Sequence, residues 1–222
     1  MRYDERVTDF LRARSPAAKQ VRESAILEAA RELGAGRGIR QVTLTEIAEA
    51  VGLHKSALLR YFETREEIYL QLTSDCWLDW IDALRAELPG APRTPAGVAA
   101  VVTSTLVDRP LFCDLLTHAP LNLERNVSLD AVRAYKTSAM ERVDVVSELL
   151  GDAVSGLGKT GGRKAVAAIT AFAAAFWQVS HPPETLARFY EEAPEFGHSV
   201  MDFAGRLEDL TTAVLTGLVQ GP

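Results

Sequence analysis

Hydrophobic residues recur along most of the chain at steps of three and four, which is the spacing that puts one face of an α-helix against a core. No run of β-branched residues alternates with polar residues in the way that a strand requires. Proline and glycine punctuate the pattern where helices are expected to end. The sequence therefore predicts an all-α protein.

The stretch after residue 63 predicts a series of helices. Thr64 is expected to cap a long helix over 64–88, which Pro89 and Gly90 end. Shorter helical material is predicted to follow and to extend through about residue 116. Pro120 is expected to interrupt the helical pattern there. The other helices are predicted at 95–107, 128–150, 163–180, 184–192 and 196–218, with a glycine-rich loop over 151–162.

Residues 42–65, VTLTEIAEAVGLHKSALLRYFETR, predict two short helices joined by a tight turn. Thr43 and Glu46 form a capping box at the start of the first helix. Gly52 follows that helix, where a left-handed backbone costs glycine least. The apolar stripe of the first helix consists of Leu44, Ile47, Ala48 and Val51.

The second short helix is predicted at about 55–61, with Leu58 and Phe62 facing inward. Its outer face then consists of Lys55, Ser56, Leu59, Arg60 and Tyr61. An exposed helix that carries lysine, serine, arginine and tyrosine is chemically suited to the major groove of DNA. The segment therefore predicts a helix-turn-helix DNA-binding unit.

A longer stretch, residues 26–72, resembles the N-terminal domain of the tetracycline-repressor (TetR) family. The matching elements are an ILxAA helix opening, a glycine-containing turn near Gly38, T-x-x-x-IA, G-[VL]-x-K and YF-x-[ST]-[KR]-E-x-[IL]. The sequence departs from the family where Ser56 and Ala57 replace a frequent Gly-Thr. It also departs where Leu59 replaces an aromatic residue that contacts phosphate.

The resemblance implies nine or ten helices in two domains. An N-terminal three-helix helix-turn-helix DNA-binding domain is expected over 19–65, after an arm over 1–18 that is expected to be mobile. A larger helical C-terminal domain, over 66–222, is expected to bind a ligand and to dimerise. The DNA contacts implied by position are Thr45, Lys55, Ser56, Tyr61 and Arg65, with Arg60 as an additional basic residue. Near the N-terminus, further candidates for phosphate contacts are Arg12, Arg14 and Lys19.

The net charge of −6 at first argues against a nucleic-acid partner, because phosphate contacts dominate such binding. The charge is unevenly distributed, however. Residues 1–65 carry a net charge of +3 and the rest of the chain carries −9. This asymmetry suits a basic DNA-binding head on an acidic body.

The last long helix has apolar residues at alternating steps of three and four, the spacing of a helix-bundle seam. The preceding helix, AVAAITAFAAAFWQV, is rich in small residues that permit close helix approach. By themselves these patterns fit either a dimer interface or an ordinary core. The TetR resemblance implies a four-helix interface in a homodimer, with seam residues Val200, Phe203, Leu207, Leu210, Val214 and Leu218.

Aromatic residues at helical spacing in the C-terminal part are more often plain core than a ligand pocket. The resemblance nevertheless implies a hollow domain that takes a small hydrophobic or amphipathic effector. The expected pocket residues are Trp77, Trp80, Phe112, His118, Arg133, Phe172, Phe176 and Trp177. Asn122, Tyr135, Gln178 and His181 are further polar candidates for orienting the effector.

One pattern favours an enzyme. Residues 153–160, AVSGLGKT, match the permissive phosphate-loop pattern, but that chemistry needs a strand before the loop and a helix is predicted there instead. We therefore interpret the segment as a loop between helices. The four histidines are scattered and suggest neither a metal site nor a nucleophile's base, so we expect no catalytic residue, no cofactor and no metal.

Cys76 and Cys113 are too few for a disulfide scaffold, and neither a membrane-length apolar run nor a secretory segment is present, so we expect a cytoplasmic protein. We predict a sequence-specific DNA-binding regulator, most simply a repressor. It binds a palindromic operator as a homodimer and releases it when the effector binds. Two alternatives remain: a TetR-like regulator without a small-molecule response, and a nucleotide-binding enzyme that uses the 153–160 loop.

Overall fold

The computed structural model describes residues 16–199 and 202–220, and every regular element within these ranges is a helix. This confirms the all-α prediction. Numbered in chain order over the described residues, the helices are α1 (Pro16–Arg37), α2 (Leu44–Ala50), α3 (Lys55–Leu58), α4 (Arg65–Glu87), α5 (Pro95–Val107), α6 (Pro110–Leu121), α7 (Leu129–Ala153), α8 (Gly158–Ser180), α9 (Glu184–Glu192) and α10 (Phe203–Gln220). Short 3₁₀ turns lie at Ile39–Gln41, Leu88–Gly90, Leu123–Arg125 and Pro194–Ser199.

Helices α1 to α3 form an N-terminal head whose apolar core is completed by α4. The core of the head includes the buried side chains of Ile26, Ile39, Ile47 and Leu58, with Tyr69 contributed by α4. The Tyr69 hydroxyl donates a hydrogen bond to the Ala30 carbonyl. The long helix α4 is thus part of the head at its start and part of the C-terminal body at its end.

The capping box predicted for α2 is present. The Thr43 hydroxyl accepts a hydrogen bond from the Glu46 amide (3.3 Å), and the Glu46 carboxylate accepts one from the Thr43 amide (2.7 Å). Gly52 adopts a φ of 65°, in the left-handed region that favours glycine. The chain therefore reverses within a few residues and starts α3 beside α2.

The C-terminal body, formed by α4 to α10, is built around a large aromatic core. Trp80 and Phe112 are fully buried between α4 and α6. The Trp80 indole N–H donates a hydrogen bond to the hydroxyl of Thr105 on α5 (3.0 Å), so its one polar atom has a partner. Helix α10 packs against α5 and α8, which encloses the far side of the core.

Helices α7 and α8 form a tight antiparallel hairpin, and the predicted loop over 151–162 is wrong. Only residues 154–157 connect the two helices. A Cβ atom at Gly162 would lie 2.0 Å from the Ser147 carbonyl oxygen, and one at Gly151 would lie 2.6 Å from the carbonyl carbon of Gly158. These glycines allow the two helix backbones to touch, so the glycine-rich run is a packing surface inside the hairpin.

Other helix ends match or differ from the predictions for local reasons. The predicted ranges of α4, α5 and α9 are confirmed to within a residue. Helix α3 ends at Leu58 rather than 61, because the Arg60 and Tyr61 amides bond three residues back and tighten the turn. Helix α6 continues through Pro120 to Leu121, since a proline in the last turn removes only one hydrogen bond.

The two ends of the chain also differ from expectation. Helix α1 begins at Pro16, so residues 16–18 belong to a helix and not to the predicted arm. Helix α10 begins at Phe203, because residues 194–199 form a 3₁₀ turn instead of a helix start. The remaining arm residues, Arg12 and Arg14 among them, and the seam residue Val200 lie outside the described residues.

Candidate DNA-binding surface and effector site

The exposed surface of α2 and α3 carries most of the residues expected to contact DNA. Thr45, Lys55, Ser56 and Arg60 are all exposed. Over the described residues, neither the Lys55 ammonium nor the Arg60 guanidinium has an acidic side chain within ion-pair distance. Their charges are therefore available to an anionic partner.

His54 fixes the start of α3, a role that the sequence alone did not suggest. Its Nδ1 accepts a hydrogen bond from the Ser56 amide (3.4 Å) and lies 2.9 Å from the Ser56 hydroxyl. His54 is thus the N-cap of α3 and also orients the Ser56 side chain. The available signal was its position directly before the helix, although histidine is an uncommon cap.

Arg65, which was expected to contact a phosphate, is hydrogen-bonded within its own chain. Its Nη1 donates hydrogen bonds to the carbonyls of Ile39 (2.9 Å) and Val42 (3.0 Å), and its Nη2 binds the Glu66 carboxylate (2.8 Å). The guanidinium therefore ties the start of α4 to the 3₁₀ turn of the head, a structural role that the sequence did not suggest, and its phosphate contact stays a prediction. Tyr61, another predicted DNA contact, is half-buried, and part of its side chain packs against the apolar core.

The charge of Glu46 supports the start of α2. Its carboxylate accepts hydrogen bonds from the Thr43 hydroxyl, the Thr43 amide and Arg37. In that order of importance these bonds lower the pKa of Glu46 to about 2. The ionised carboxylate stabilises the N-terminus of α2, and Thr45 is exposed at the same helix end.

The expected pocket residues on α4 and α6 pack against one another in the core. The rings of Trp77, Trp80 and Phe112 lie 5.3–5.8 Å apart, centroid to centroid, and all three side chains are buried. Trp77 and Trp80 therefore fill the space in which a hollow was predicted, whereas Phe112 also borders an open cavity of about 690 Å³ together with Cys76 and Asp79. The close packing of the three rings stabilises the body.

Three other expected pocket residues do not join a common site. Phe172 and Phe176 stack on each other along α8, with centroids 5.7 Å apart. Arg133 is exposed on α7 and pairs with Asp130 (3.0 Å), one turn away on the same helix. Its place in the pocket was wrong, because the polar face of α7 points to solvent there.

His118 and Trp177, in contrast, line a cavity of about 670 Å³ between the head and the body, which we call the junction cavity. The head contributes the end of α1 and the turn after it, including Arg37 and Arg40. The body contributes the start of α6 and the end of α8, where the Trp177 and His181 rings stack 3.6 Å apart. Other lining residues are Gly34, Gly38, Gln41, Leu111, Asp114, Gln178 and Glu184.

Asp114 is the functional candidate that sequence reasoning missed. Its carboxylate accepts hydrogen bonds from the Ile39 amide (3.1 Å) and from Gln178 (2.9 Å), and it lies 3.4 Å from Nε2 of His118. Burial alone would raise the pKa of Asp114, but the hydrogen bonds from His118, Ile39 and Gln178 outweigh it and hold the pKa below its ordinary value. The only sequence signal was the Asp114/His118 spacing of one helical turn.

The expected seam residues on α10 divide between two faces. Phe203 and Leu207 are 9% and 0% exposed, so they pack in the core of their own chain and are not available to a partner. Leu210 is 38% exposed, and Val214 is half-buried on the same outer side. Of the predicted seam, Leu210 and Val214 therefore stay candidates for an interface, whereas Phe203 and Leu207 belong to the core of the chain itself.

Two further observations bear on other functions. Over the described residues, no group of three histidine, cysteine or acidic side chains is arranged to hold a metal ion. In the same part of the chain, no single helix is long and apolar enough to cross a membrane, and α5 with the segment after it meets the length and composition only as a pair bent by 89°. The phosphate-loop pattern falls on the end of α7 and the start of α8, so no strand precedes it.

Several solved structures have a similar fold. A crystal structure of a TetR transcriptional regulator from Rhodococcus sp. RHA1 matches with a TM-score of 0.57 and 16% identity, over 91% of this chain and 97% of that one. The fatty acid degradation regulator FadR from Bacillus halodurans matches with a TM-score of 0.55 and 14% identity, over 87% and 98%. FadR from Thermus thermophilus, in complex with lauroyl-CoA, matches with a TM-score of 0.53 and 19% identity, over 87% and 93%.

Family profiles match nearly the whole of the described fold. The profile of bacterial regulatory proteins of the tetR family matches residues 26–72, and that of the tetracyclin repressor-like C-terminal domain matches residues 75–222. A comparison with curated protein sequences found no significant match. Since the second profile alone covers more than half of the chain, the protein belongs to the TetR family of transcriptional regulators.

Proposed function

We propose that the protein is a homodimeric regulator that binds palindromic DNA through α2 and α3. The observation that carries this proposal is the exposed surface of α3 and the turn after it, on which Lys55 and Arg60 have no acidic partner among the described residues. A short helix and its following turn that present two free cations and a hydroxyl beside a capped second helix have the chemistry of a major-groove reader. The acidic body keeps the duplex on the head, because its net charge repels phosphate.

A dimer is supported by an apolar surface that α8 and α10 share. On α8, the residues Ala167, Ala171, Ala175 and Val179 are exposed at steps of four. On α10, which packs against α8, the exposed or half-buried apolar residues are Leu210, Ala213, Val214 and Leu218. Small residues on one helix and larger ones on its neighbour suit a helix-bundle interface, and a two-fold dimer would present its two heads to two half-sites.

A response to a small molecule is supported by the junction cavity, whose size suits a small ligand and whose walls come from both head and body. An occupant changes DNA affinity to the extent that it prefers one arrangement of these walls, and a coupling of about 3 kcal/mol corresponds to roughly 150-fold. The effector class we propose is a hydrophobic or amphipathic molecule. Lauroyl-CoA and stearoyl-CoA, which are bound in FadR structures from Thermus thermophilus and Bacillus subtilis, are suitable first compounds to test.

The filled aromatic core favours a second candidate, a regulator of the same kind without a small-molecule response. Trp77, Trp80 and Phe112 fill the space between their rings, where the effector was expected. In that case DNA binding would be controlled by the amount of protein alone. The two candidates share the DNA-binding step and differ only in ligand dependence.

The DNA-binding step is tested by selecting duplexes from a random pool and measuring their affinity by fluorescence anisotropy at several salt concentrations. A selected palindrome should bind with a Kd of about 10⁻⁸ M or lower, at least about 10³-fold more tightly than a scrambled duplex. Lys55→Ala should lower the salt slope by about 1 if Lys55 contacts phosphate, or remove roughly 1–3 kcal/mol of discrimination if it reads a base. Lys136→Ala, on the body, is the matched control.

Failure to enrich any sequence, or equal affinity for the palindrome and the scrambled duplex, would contradict the proposal. The ligand-dependent candidate is then tested by a thermal-shift screen of amphipathic compounds that includes both acyl-CoA molecules. Each compound that stabilises the protein is titrated against the protein–DNA complex. Compounds that bind without changing DNA affinity would favour the second candidate.

A further inference from the structure

Ile39 is the point at which the head is held from two sides. Its amide donates a hydrogen bond to Asp114 of α6, across 75 positions of sequence, and its carbonyl accepts one from Arg65 of α4. The 3₁₀ turn Ile39–Gln41 precedes α2 by only two residues. A displacement of Ile39 is therefore passed directly to the start of the helix-turn-helix.

The two oxygens of Asp114 are divided between the head and the body. Oδ2 accepts the hydrogen bond from the Ile39 amide, whereas Oδ1 accepts one from Gln178 of α8 and faces Nε2 of His118. The other ring nitrogen of His118 lies 3.3 Å from the side-chain amide of Asn122. A neutral His118 with its proton on Nε2 satisfies both contacts, as donor to Asp114 and acceptor from Asn122.

This network lies in the wall of the junction cavity. Asp114, His118 and Gln178 all line it, and Trp177 and His181 flank Gln178 on the last turns of α8. The carboxylate is mostly buried, with 13% of its side chain exposed, and a buried carboxylate is stable only while its hydrogen bonds persist. An occupant that moves α8 with Gln178 therefore pulls on the same carboxylate whose Oδ2 holds Ile39.

We infer that Asp114 is the positioning residue that transmits changes at the junction cavity to the DNA-binding head. The inference rests on the proposed DNA-binding function and adds to it the path of regulation. Asp114 acts through Ile39 and does not itself contact DNA. Coupling of this kind is reciprocal, so DNA bound to the head must alter the end of α8 through the same carboxylate.

The reciprocal effect can be measured without a known effector, by hydrogen–deuterium exchange of the full-length protein with and without the selected duplex. In the free protein, Asp114→Ala should make the Ile39 amide exchange at least about tenfold faster, because its acceptor is removed. Asp114→Asn keeps an acceptor oxygen and should have a smaller effect. Asp82→Ala, an exposed aspartate change on α4, should leave the Ile39 amide unaffected.

With the duplex bound, the wild-type protein should change its exchange in residues 174–181 as well as in α2 and α3. Asp114→Ala should lose the change in 174–181 while keeping protection of α2 and α3. Gln178→Leu removes the link to α8 and leaves the Ile39–Asp114 bond in place. This variant should lose the distant response with normal exchange at Ile39, which a merely structural role of Asp114 does not predict.

Three outcomes would overturn the inference: a bound duplex that leaves 174–181 unchanged in the wild type, an unchanged Ile39 amide in Asp114→Ala, or a full distant response in Gln178→Leu. If Asp114→Ala does not fold, Gln178→Leu and Asp114→Asn decide the matter. Failure of the wild type to bind any selected duplex is a separate result. It would refute the proposed function itself, and this inference with it.

Discussion

Leu207 and Leu210 lie one turn apart on α10, yet Leu207 is fully buried in its own chain while Leu210 is 38% exposed. The helix therefore has two apolar faces. The inner face, with Phe203, Leu207 and Leu215, completes the core of the body. On the outer face, Leu210 is exposed and Val214 is half-buried, and no other described helix packs over them to bury them fully.

This difference predicts opposite results for two substitutions on α10. Leu210→Glu should place a charge in the proposed interface and produce a folded monomer, because a buried unpaired charge opposes association. Leu207→Ala should instead lower the free energy of unfolding by about 2–5 kcal/mol through loss of core packing. Sedimentation at micromolar concentration measures the first effect and denaturant unfolding the second. A wild-type monomer, or a Leu210→Glu dimer, would contradict the proposed interface.

Arg65 and Lys55 should separate stability from DNA binding. Arg65→Ala removes the hydrogen bonds to the Ile39 and Val42 carbonyls and should lower the free energy of unfolding by roughly 2–3 kcal/mol. At a temperature where the variant is folded, the salt slope of DNA binding should stay unchanged. Lys55→Ala should show the reverse pattern. A drop in the salt slope for Arg65→Ala would show that Arg65 contacts a phosphate, as the resemblance implied.

Thr105 should be important for stability although its side chain is small. Thr105→Val keeps the shape but leaves the buried indole N–H of Trp80 without its acceptor, at a cost of about 1–3 kcal/mol in the free energy of unfolding. Ser104→Ala, at the exposed neighbouring position, is the control and should change stability by less than about 0.5 kcal/mol. Equal effects of the two changes would show that the hydrogen bond contributes little.

The pKa of Glu46, lowered from 4.5 to about 2, predicts a pH dependence of the head. The folded state favours the ionised carboxylate, so this contribution is complete above about pH 4.5 and disappears as the pH falls towards 2. Glu46→Gln should therefore lower the unfolding temperature at pH 6, and the difference from wild type should shrink at pH 3. Glu49→Gln, on the exposed side of the same helix, is the control. A difference that does not depend on pH would contradict the assignment.

Local signals in the sequence were sufficient for the caps and for most helix ends. The Thr43 capping box, the Thr64 cap of α4 and the start of α5 depend on residues within one turn of each other. The helix-turn-helix surface was predictable for the same reason. The exposure of Lys55, Ser56 and Arg60 follows from the inward positions of Leu58 and Phe62.

Contacts between distant segments were not predictable in this way. The roles of Arg65 and Asp114 depend on the carbonyl and amide of Ile39, which are main-chain groups that no side-chain pattern reports. The apolar period of α10 showed that Leu207 and Leu210 are both on apolar sides, but only tertiary packing decides which side the chain itself covers. The aromatic residues on α4 and α6 were found together as expected, although they fill the core instead of enclosing a ligand.

The backbone contact between Gly162 and Ser147 has a practical consequence for engineering this chain. A glycine-rich segment is ordinarily chosen for inserting a tag, a reporter domain or new termini, because exposed loops tolerate such changes. Here, an insertion between Gly158 and Gly162 would separate two backbones that touch, and even one methyl group at position 162 has no space. The exposed pair Ser155 and Gly156, between the buried Val154 and Leu157, is the place to open or extend it.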